Sequence, residues 1–263
     1  MTMGGAVREW LRWPYRTEIM EDRMAEQLEP MPTDWRRALA IVAHPDDLEY
    51  GCAAAIARWT AEGREVAYLI VTRGEAGIDT LEPAKAGPLR EQEQRASASV
   101  VGVSEVEFLD HADGVIEYGT ALRRDLAAAI RRHRPELLIT LNFADTWGGV
   151  HWNTPDHRAV GRASVDAAGD AGNRWIFPEA GPEPWDGVRW VAVAGDQHPT
   201  HAVDVTDTLE HGVRSLLEHR SYIEALTDED PETYCRNFLG TIARGAAESF
   251  GGRPAVTFRL YPR

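Results

Sequence analysis

Cysteine and long apolar runs are both scarce in this sequence. Only two cysteines, Cys52 and Cys235, occur among the 263 residues, and they form no CxxC pair. A disulfide framework is therefore not expected, and a thiolate zinc site is excluded by count. No stretch approaches the roughly 20 apolar residues of a membrane span, and residues 1–32 lack the apolar core of a signal peptide. These absences predict a soluble, cytoplasmic protein.

Positive charge is scarce as well. Lys and Arg total 28 against 42 Asp and Glu, which gives a formal net charge of −14. Binding to nucleic acid or to an anionic membrane requires clustered basic residues, so neither is expected as a partner. The 43% hydrophobic content suffices for one substantial core. We therefore predict a single domain, residues 38–263, after an N-terminal extension, residues 1–37. The extension has large apolar residues that could pack on the domain or in a homo-oligomer: Trp10, Leu11, Trp13 and Tyr15.

From residue 38 onward, short apolar runs alternate with stretches of helical periodicity. The first predicted strands are 38–43, 66–72, 106–109 and 137–141, and the helices between them are 51–62, 90–101 and 121–133. This β-α-β pattern predicts an α/β fold with a Rossmann-like, mostly parallel sheet and helices on both faces. In such folds the active site lies at the C-terminal ends of the strands.

The first predicted strand runs directly into the sequence His44-Pro45-Asp46-Asp47. A histidine and two carboxylates are thereby placed at the rim of the sheet, where a ligand can reach them. A neutral imidazole and one aspartate suit a divalent metal, which leaves the other aspartate to handle protons. Pro45 fixes its own backbone, so we expect Asp46 and Asp47 to point in different directions. The simpler alternative is that one aspartate only caps the following helix.

A second polar segment, GGVHWNTPDHR, follows the predicted strand 137–141. His157 in this segment begins a predicted helix, which would hold its imidazole rigidly. Taken alone, His157 could equally be a surface or capping residue. Together with His44 and Asp47 it completes a set of two histidines and one carboxylate, the arrangement that a catalytic zinc ion requires.

Three motifs occur in order along the chain: HPDD after the first predicted strand, TRGEAG after the second and PDHRA near the middle. Together they resemble the LmbE-like, or PIG-L, family of zinc-dependent N-acetylglucosaminyl deacetylases, and the resemblance extends from about residue 38 to residue 226. It implies a zinc ion held by His44, Asp47 and His157, with Asp46 as the general base.

The activity that the resemblance implies is removal of the N-acetyl group from an N-acetylglucosamine-type moiety of a small glycoconjugate. Candidate substrates are a mycothiol-type molecule and an antibiotic intermediate of the glycopeptide or aminoglycoside class. Metal-assisted amide hydrolysis would release acetate and a free amino sugar.

The chain departs from the family at Thr154, where relatives usually carry a histidine that stabilises charge or acts as an acid. His151 is the nearest replacement by sequence. His198 or His201, in the segment QHPTH, could also reach the site from a later loop. All three could instead be ordinary surface histidines.

Substrate contacts are expected from the strand-end loops. Arg73 and Glu75 lie in the TRGEAG loop, and an arginine and a carboxylate can bind the hydroxyls of a sugar. The alternative is that Gly74 and Gly77 simply form a turn. The rings of Trp147 and Trp152, near the PDHRA motif, could stack on a sugar or on an aromatic scaffold, although aromatic residues in loops often serve only in packing.

Two other function classes fit parts of the pattern. The sequence His44-Pro45-Asp46 with a distant histidine also matches the facial triad of non-haem Fe(II) oxygenases, although those sites commonly lie on double-sheet β scaffolds. A binding protein without catalysis could share the doubly wound sheet. No Gly-x-Gly-x-x-Gly follows the first predicted strand, which argues against a dinucleotide-binding version.

Overall fold

The computed structural model describes residues 27–263, in which helices cover both faces of a central sheet. The strands of this part are β1 (Glu29–Pro30), β2 (Arg37–Val42), β3 (Glu65–Ile70), β4 (Glu105–Phe108), β5 (Leu137–Leu141), β6 (Thr146–Trp147), β7 (His151–Trp152), β8 (Trp190–Ala194), β9 (His201–Asp204) and β10 (Ala255–Pro262). The helices are α1 (Asp47–Gly51), α2 (Ala53–Ala61), α3 (Pro83–Val100), α4 (Thr120–His133), α5 (Pro155–Gly172), α6 (Leu209–Leu217), α7 (Arg220–Leu226) and α8 (Pro231–Gly245). No helix among these is long and apolar enough to cross a membrane.

Eight strands form the main sheet in the order β1-β9-β10-β8-β5-β2-β3-β4, and β6 pairs with β7 in a separate hairpin. The run β8-β5-β2-β3-β4 is parallel throughout. β10 is antiparallel to both of its neighbours, β8 and β9. The predicted α/β fold with a mostly parallel sheet is therefore confirmed. The apolar pattern of β10 predicts a strand but carries no information about its direction.

The core lies on both faces of the sheet because successive side chains of a strand point to opposite sides. Ala40 and Val42 of β2 belong to the apolar cluster under α2, whereas Leu39 and Ile41 belong to the cluster under α4 and α5. Strands covered on both faces are apolar at every position. This is why the strands around the site are recognisable in the sequence as unbroken apolar runs.

The part of the predicted N-terminal extension that the structure describes packs on the same core. β1 adds to the sheet in parallel with β9. Met31 and Trp35 are buried, and the Trp35 ring meets the edge of Trp59 at a centroid distance of 5.3 Å. Trp10, Leu11, Trp13 and Tyr15 lie outside the described residues, and the division of the chain at residue 38 stays a prediction.

The apolar period of residues 209–226 predicts one helix, but the structure has two. α6 ends at Leu217, and the chain turns before α7 begins at Arg220. His219, at this turn, is fully buried, with Nε2 3.4 Å from Glu49 Oε2. Because Glu49 is distant in sequence, the local apolar pattern of residues 209–226 cannot predict this contact or the break in the helix at His219.

Candidate metal centre and active site

The turn that follows β2 and the first turn of α5 bring the three predicted ligands together. His157 Nε2 lies 3.0 Å from Asp47 Oδ1 and 3.3 Å from His44 Nδ1. The His44 Nδ1 to Asp47 Oδ2 distance is 3.8 Å. One ligand atom from each of the three residues lies within 4.8 Å of the other two. Residues 110 positions apart in the sequence thus converge on a volume that suits one metal ion.

Hydrogen bonds on the outer side of each ring orient the two imidazoles. Asn153 Nδ2 donates to the carbonyls of Asn142 and Ala144, so its Oδ1 must face His157 Nδ1, 2.9 Å away. His157 Nδ1 therefore carries a proton in either charge state of the ring, and in the neutral ring the lone pair of Nε2 faces the cluster. His44 is oriented in the same way, but its Nε2 makes the outer contacts and its Nδ1 faces the cluster.

His44 Nε2 lies 3.1 Å from Asp156 Oδ2 and 3.1 Å from Asp113 Oδ1, which leaves Nδ1 to face the cluster. Outer hydrogen bonds to carboxylate or amide oxygens are typical of metal-ligating histidines, because they select the tautomer and fix the ring. The donor set and its orientation therefore fit a divalent metal.

Negative charge is concentrated around the three ligands. Burial disfavours the imidazolium form of His44, yet hydrogen bonds to Asp113, Asp156 and Asp47 raise its pKa well above the ordinary value. Burial alone would raise the pKa of Asp47, but the charge of His157 and hydrogen bonds to both histidines hold it below its usual range. The cluster keeps Asp47 ionised and favours a proton on His44. The same negative charge also favours the binding of a metal cation.

Asp46 is held in a different way from its neighbour. Its backbone is left-handed, with φ 92°, and its carboxylate makes no capping bond to α1. Asp46 Oδ2 accepts a hydrogen bond of 2.9 Å from Arg90 Nη2. Burial raises the pKa of Asp46 to about 6, against the opposing charge of Arg90. The helix-capping interpretation therefore does not describe Asp46.

Asp47 makes no helix cap either. Its Oδ2 accepts from the backbone N–H groups of Ala43, at 3.1 Å, and His44, at 2.9 Å. These bonds fix the turn after β2 and direct Oδ1 toward His157. The two adjacent carboxylates therefore point to different partners, as the sequence predicts.

The TRGEAG loop makes room for Arg90. Gly74 has φ +62°, and a Cβ at this position would lie 2.2 Å from Arg90 Nη1. Arg90, which is 2% exposed, donates to the carbonyls of Gly74, at 2.9 Å, and Pro45, at 2.7 Å. Gly74 and Gly77 do form a turn, in which Gly77 N donates to Gly74 O at 3.1 Å, and this turn accommodates the residue that contacts Asp46.

Arg73 and Glu75 are engaged with the protein. Arg73 Nε contacts Glu91 Oε2 at 3.2 Å, and Nη1 contacts Asp110 Oδ1 at 2.7 Å. Glu75 accepts from the backbone N–H groups of Arg73, at 3.2 Å, and Asp113, at 2.9 Å. Both side chains order the loops around the cluster. Direct contact with a substrate stays a prediction for each of them.

Thr154 caps α5. Its Oγ1 accepts from the backbone N–H of His157 at 3.2 Å, so it fixes the start of the helix that carries a ligand. His151 lies in the β6–β7 hairpin opposite Trp147, whose ring meets the edge of His157 at a centroid distance of 5.9 Å. The hairpin therefore places His151 near the rim of the cluster.

His198 is exposed in the loop between β8 and β9, where its backbone N–H donates to Asp196 Oδ1 at 2.8 Å. Gln197 Nε2 in the same loop donates to Thr146 O at 2.8 Å, which connects the loop to the hairpin. His201 begins β9, with Nε2 3.7 Å from Glu29 Oε2 beside β1. Among the described residues, the histidines of these loops join no cluster of ligand atoms, and their roles stay predictions.

Trp152 offers an open aromatic surface at the same rim. Its side chain is 57% exposed, and the Arg158 guanidinium lies 5.0 Å from the ring centroid. One face of a tryptophan held in this way can stack on a sugar ring while the cation lies against the other. Contact with a substrate stays a prediction for Trp152.

Several residues at the site are not identified by the sequence patterns. Asp156 has a local signal, because it directly precedes His157, but Asp113 has none. The C-terminal helices add aromatic residues: the Arg90 guanidinium lies 4.2 Å from the ring centroid of Tyr222, and the hydroxyls of Tyr50 and Tyr234 are 3.2 Å apart. Tyr222 and Tyr234 reach the Asp46 side of the site through the packing of α7 and α8, whereas Tyr50 lies in α1 and its N–H donates to Asp46 O at 3.0 Å.

Comparisons with known proteins show which family this chain resembles. Residues 39–168 match the family described as PIG-L, GlcNAc-PI de-N-acetylase. The diacetylchitobiose deacetylase of Thermococcus kodakarensis is 29% identical over 87% of this chain and 84% of that protein. The 1D-myo-inositol 2-acetamido-2-deoxy-alpha-D-glucopyranoside deacetylase of Streptomyces avermitilis is 32% identical over 57% of this chain and 58% of its own length.

A solved structure has the same architecture. The N,N'-diacetylchitobiose deacetylase of Pyrococcus horikoshii superposes with a TM-score of 0.78 over 87% of this chain and 85% of that one, at 26% identity. The matched family region, residues 39–168, contains all three residues of the ligand cluster. Residues 39–168, the region that carries the ligand cluster, belong to the PIG-L, or LmbE-like, family.

Proposed function

We propose that this protein is a zinc-dependent amide hydrolase that removes the N-acetyl group from an N-acetylglucosamine-type moiety of a small glycoconjugate. The observation that carries this proposal is the cluster of His44, Asp47 and His157 with the Asp46 carboxylate beside it. The similar proteins from Thermococcus kodakarensis and Pyrococcus horikoshii are diacetylchitobiose deacetylases. Acetylated glucosamine disaccharides are therefore the first substrates to test.

Zinc is proposed because two imidazole nitrogens and one carboxylate oxygen form the usual protein ligand set of a catalytic zinc ion. His44 would bind through Nδ1, His157 through Nε2 and Asp47 through Oδ1. When bound, zinc would lower the pKa of water and polarise the acetyl carbonyl.

Asp46 is the proposed general base. Arg90 holds Oδ2, which leaves Oδ1 to accept the proton of the attacking water. A pKa raised by burial to about 6 makes this carboxylate a stronger base than an exposed aspartate. His151 is the first candidate for the charge-stabilising role that Thr154 cannot fill, and His198 is the second. Trp152, Arg73 and Glu75 are the proposed substrate contacts.

Acetate release from N,N'-diacetylchitobiose by the zinc-loaded protein tests the proposal. The metal content of protein purified without added metal should be measured on the same preparation. His133, which contacts Glu107 at the opposite end of the strands, offers a matched control: His133→Ala should remain active, whereas His44→Ala should not. A zinc-loaded protein that released no acetate from chitobiose, inositol or glycopeptide conjugates of N-acetylglucosamine would contradict the proposal. Bound iron instead of zinc would contradict the proposed metal.

A further inference from the structure

The peptide bond between Pro45 and Asp46 is held from both sides by one helix. On one side, Arg90 Nη2 donates to Pro45 O at 2.7 Å. On the other side, Asp46 N donates to Gln94 Oε1 at 2.9 Å. Arg90 and Gln94 are four residues apart in α3 and therefore lie on the same face of the helix. The orientation of this peptide determines where the Asp46 carboxylate points.

The conformation of Asp46 requires such support. A non-glycine residue at φ 92° is strained, and strained residues persist only where the surrounding structure holds them. The Asp46 carboxylate makes no capping bond to the helix it precedes. The hydrogen bond from its N–H to Gln94 therefore holds the Asp46 peptide directly, in addition to the bonds that Arg90 and Asp47 make within the same turn.

The amide of Gln94 can face Asp46 in only one way. Its Nε2 donates to Glu49 Oε1 at 3.0 Å, and the same oxygen accepts from Ser97 Oγ at 2.7 Å. If the amide were reversed, its NH₂ group would meet the N–H of Asp46, and its oxygen would meet the oxygen of Glu49. Glu49 therefore determines which end of Gln94 faces Asp46.

Glu49 is itself fixed by residues of two other helices and of the turn after α6. Ser97 Oγ lies 2.8 Å from Ser215 Oγ, and Ser215 Oγ donates to Ser97 O at 3.1 Å. His219 Nε2 lies 3.4 Å from Glu49 Oε2. Glu49, Gln94, Ser97, Ser215 and His219 are each at most 1% exposed. The two hydrogen bonds at Oε1 therefore fix the Glu49 carboxylate, whereas Glu49 Oε2 and both ring nitrogens of His219 make no hydrogen bond within the described residues.

We propose that Gln94 is a positioning residue for Asp46 and that Glu49 acts through it by fixing the direction of its amide. This inference rests on the proposed function, in which Asp46 is the general base. A displacement of about 1 Å in a catalytic group can cost on the order of 10²-fold in rate. Loss of the Gln94 acceptor should therefore affect catalysis while leaving the metal ligands in place.

The primary test is Gln94→Met, which keeps the length of the side chain and removes the acceptor. Measured on the zinc-loaded enzyme, kcat should fall by about 10- to 100-fold with KM nearly unchanged, because Asp46 acts on water and not on the sugar. Zinc content should remain that of the wild type. Gln92→Met is the matched control, since Gln92 is exposed two positions earlier in α3 and should keep the wild-type kcat.

A double substitution that exchanges the amide of Gln94 and the carboxylate of Glu49 should restore the hydrogen bonds of the network. In Gln94→Glu with Glu49→Gln, the carboxylate at position 94 accepts from Asp46 N, and the new amide at position 49 donates to it and to Ser97. We expect this variant to fold, bind zinc and retain kcat within about threefold of the wild type. Gln94→Met with Glu49→Gln should stay impaired. The proposal would be overturned if Gln94→Met kept the wild-type kcat. It would also be overturned if the zinc-loaded double variant Gln94→Glu with Glu49→Gln, the charge-exchanged variant, were no more active than Gln94→Met.

Hydrogen exchange of the Asp46 backbone N–H separates this inference from the proposed function. The amide should lose protection in Gln94→Met and keep it in the charge-exchanged variant, whatever the enzyme hydrolyses. A wild-type protein that releases no acetate contradicts the proposed function only. Unchanged protection of the Asp46 amide in Gln94→Met contradicts the positioning role even if the enzyme is an active deacetylase.

Discussion

At the scale of single residues, Asp46 and Asp47 are adjacent and chemically identical, but their partners differ. Asp47 Oδ1 faces His157 among the ligand atoms, and its Oδ2 accepts two backbone N–H groups. Asp46 faces Arg90 and Gln94 in a buried pocket, with its pKa raised to about 6 by burial. One carboxylate is thereby suited to bind metal and the other to accept a proton.

The first prediction separates these two roles. Asp46→Asn keeps the size of the side chain but removes its basicity, so zinc should stay at about one per chain while kcat falls by roughly 10² to 10⁴. Asp47→Asn should weaken zinc binding, because it removes ligand charge. Zinc stoichiometry and kcat should be measured on both variants together. If Asp46→Asn loses its metal and Asp47→Asn keeps it, the roles are exchanged.

The second prediction concerns the histidine that relatives carry at the position of Thr154. If His151 has taken over this role from the neighbouring hairpin, His151→Ala should lower kcat by about 10², as expected for one acid-base or oxyanion group, with zinc content intact. His198→Ala is the comparison variant. A His151→Ala enzyme with wild-type kcat would rule out His151 and make His198 the next residue to test.

The limits of sequence-based prediction are clear at this scale. His44, Asp47 and His157 are predictable because each belongs to a polar motif directly after a recognisable strand or at the start of a helix. Asp113 contacts His44 from a loop without such a motif. Gln94 lies within α3, where nothing in the local pattern distinguishes it from the exposed Gln92.

At the scale of elements, the buried strands are the most predictable features. The predicted strand 137–141 agrees with β5 at both ends, because five consecutive apolar or β-branched residues are buried there. α3 begins at Pro83, seven residues before the predicted start, in a segment that contains Pro88 and Gly87. Both residues have low helix propensity, so packing rather than local sequence sets this boundary.

Arg131 connects two elements and provides the third prediction. Its guanidinium is 2% exposed and donates to carbonyls at the end of α5 and in the loop that follows: Ala171, Phe177, Ala180, Asp170, Asn173 and Ile176. Arg131→Met should lower the free energy of unfolding by about 3 kcal/mol or more, because each buried acceptor left unpaired costs about 1–3 kcal/mol. Urea unfolding measures this change.

The adjacent Arg132 is the control for this prediction. Its side chain is 41% exposed and pairs with Glu107 at the surface. Arg132→Met should therefore cost at most about 1 kcal/mol, the usual range of an exposed ion pair. Equal losses of stability in the two variants would show that the carbonyls around Arg131 are satisfied in another way.

At the scale of the whole molecule, the site depends on segments from across the described chain. The turn after β2 supplies His44, α5 supplies His157, and α3 holds the peptide of Asp46. The turn between α6 and α7 reaches the same region through His219 and Glu49. Metal binding to such a site should therefore be coupled to the stability of the entire fold, since the ligands are brought together only in the folded state.

The last prediction measures this coupling. Zinc that binds only the folded protein stabilises it by about 2.7 kcal/mol at a free concentration of 100 times Kd. For a chain of this size, each kcal/mol shifts Tm by about 2–4 °C, so removal of zinc by a chelator should lower Tm by roughly 5–10 °C. His157→Ala, left with two protein ligands, should show almost no response to zinc or chelator. His133→Ala, whose ring contacts Glu107 away from the cluster, should respond like the wild type. A His157→Ala protein that bound one zinc ion with wild-type affinity and gained the same increase in Tm would show that His157 is not a ligand.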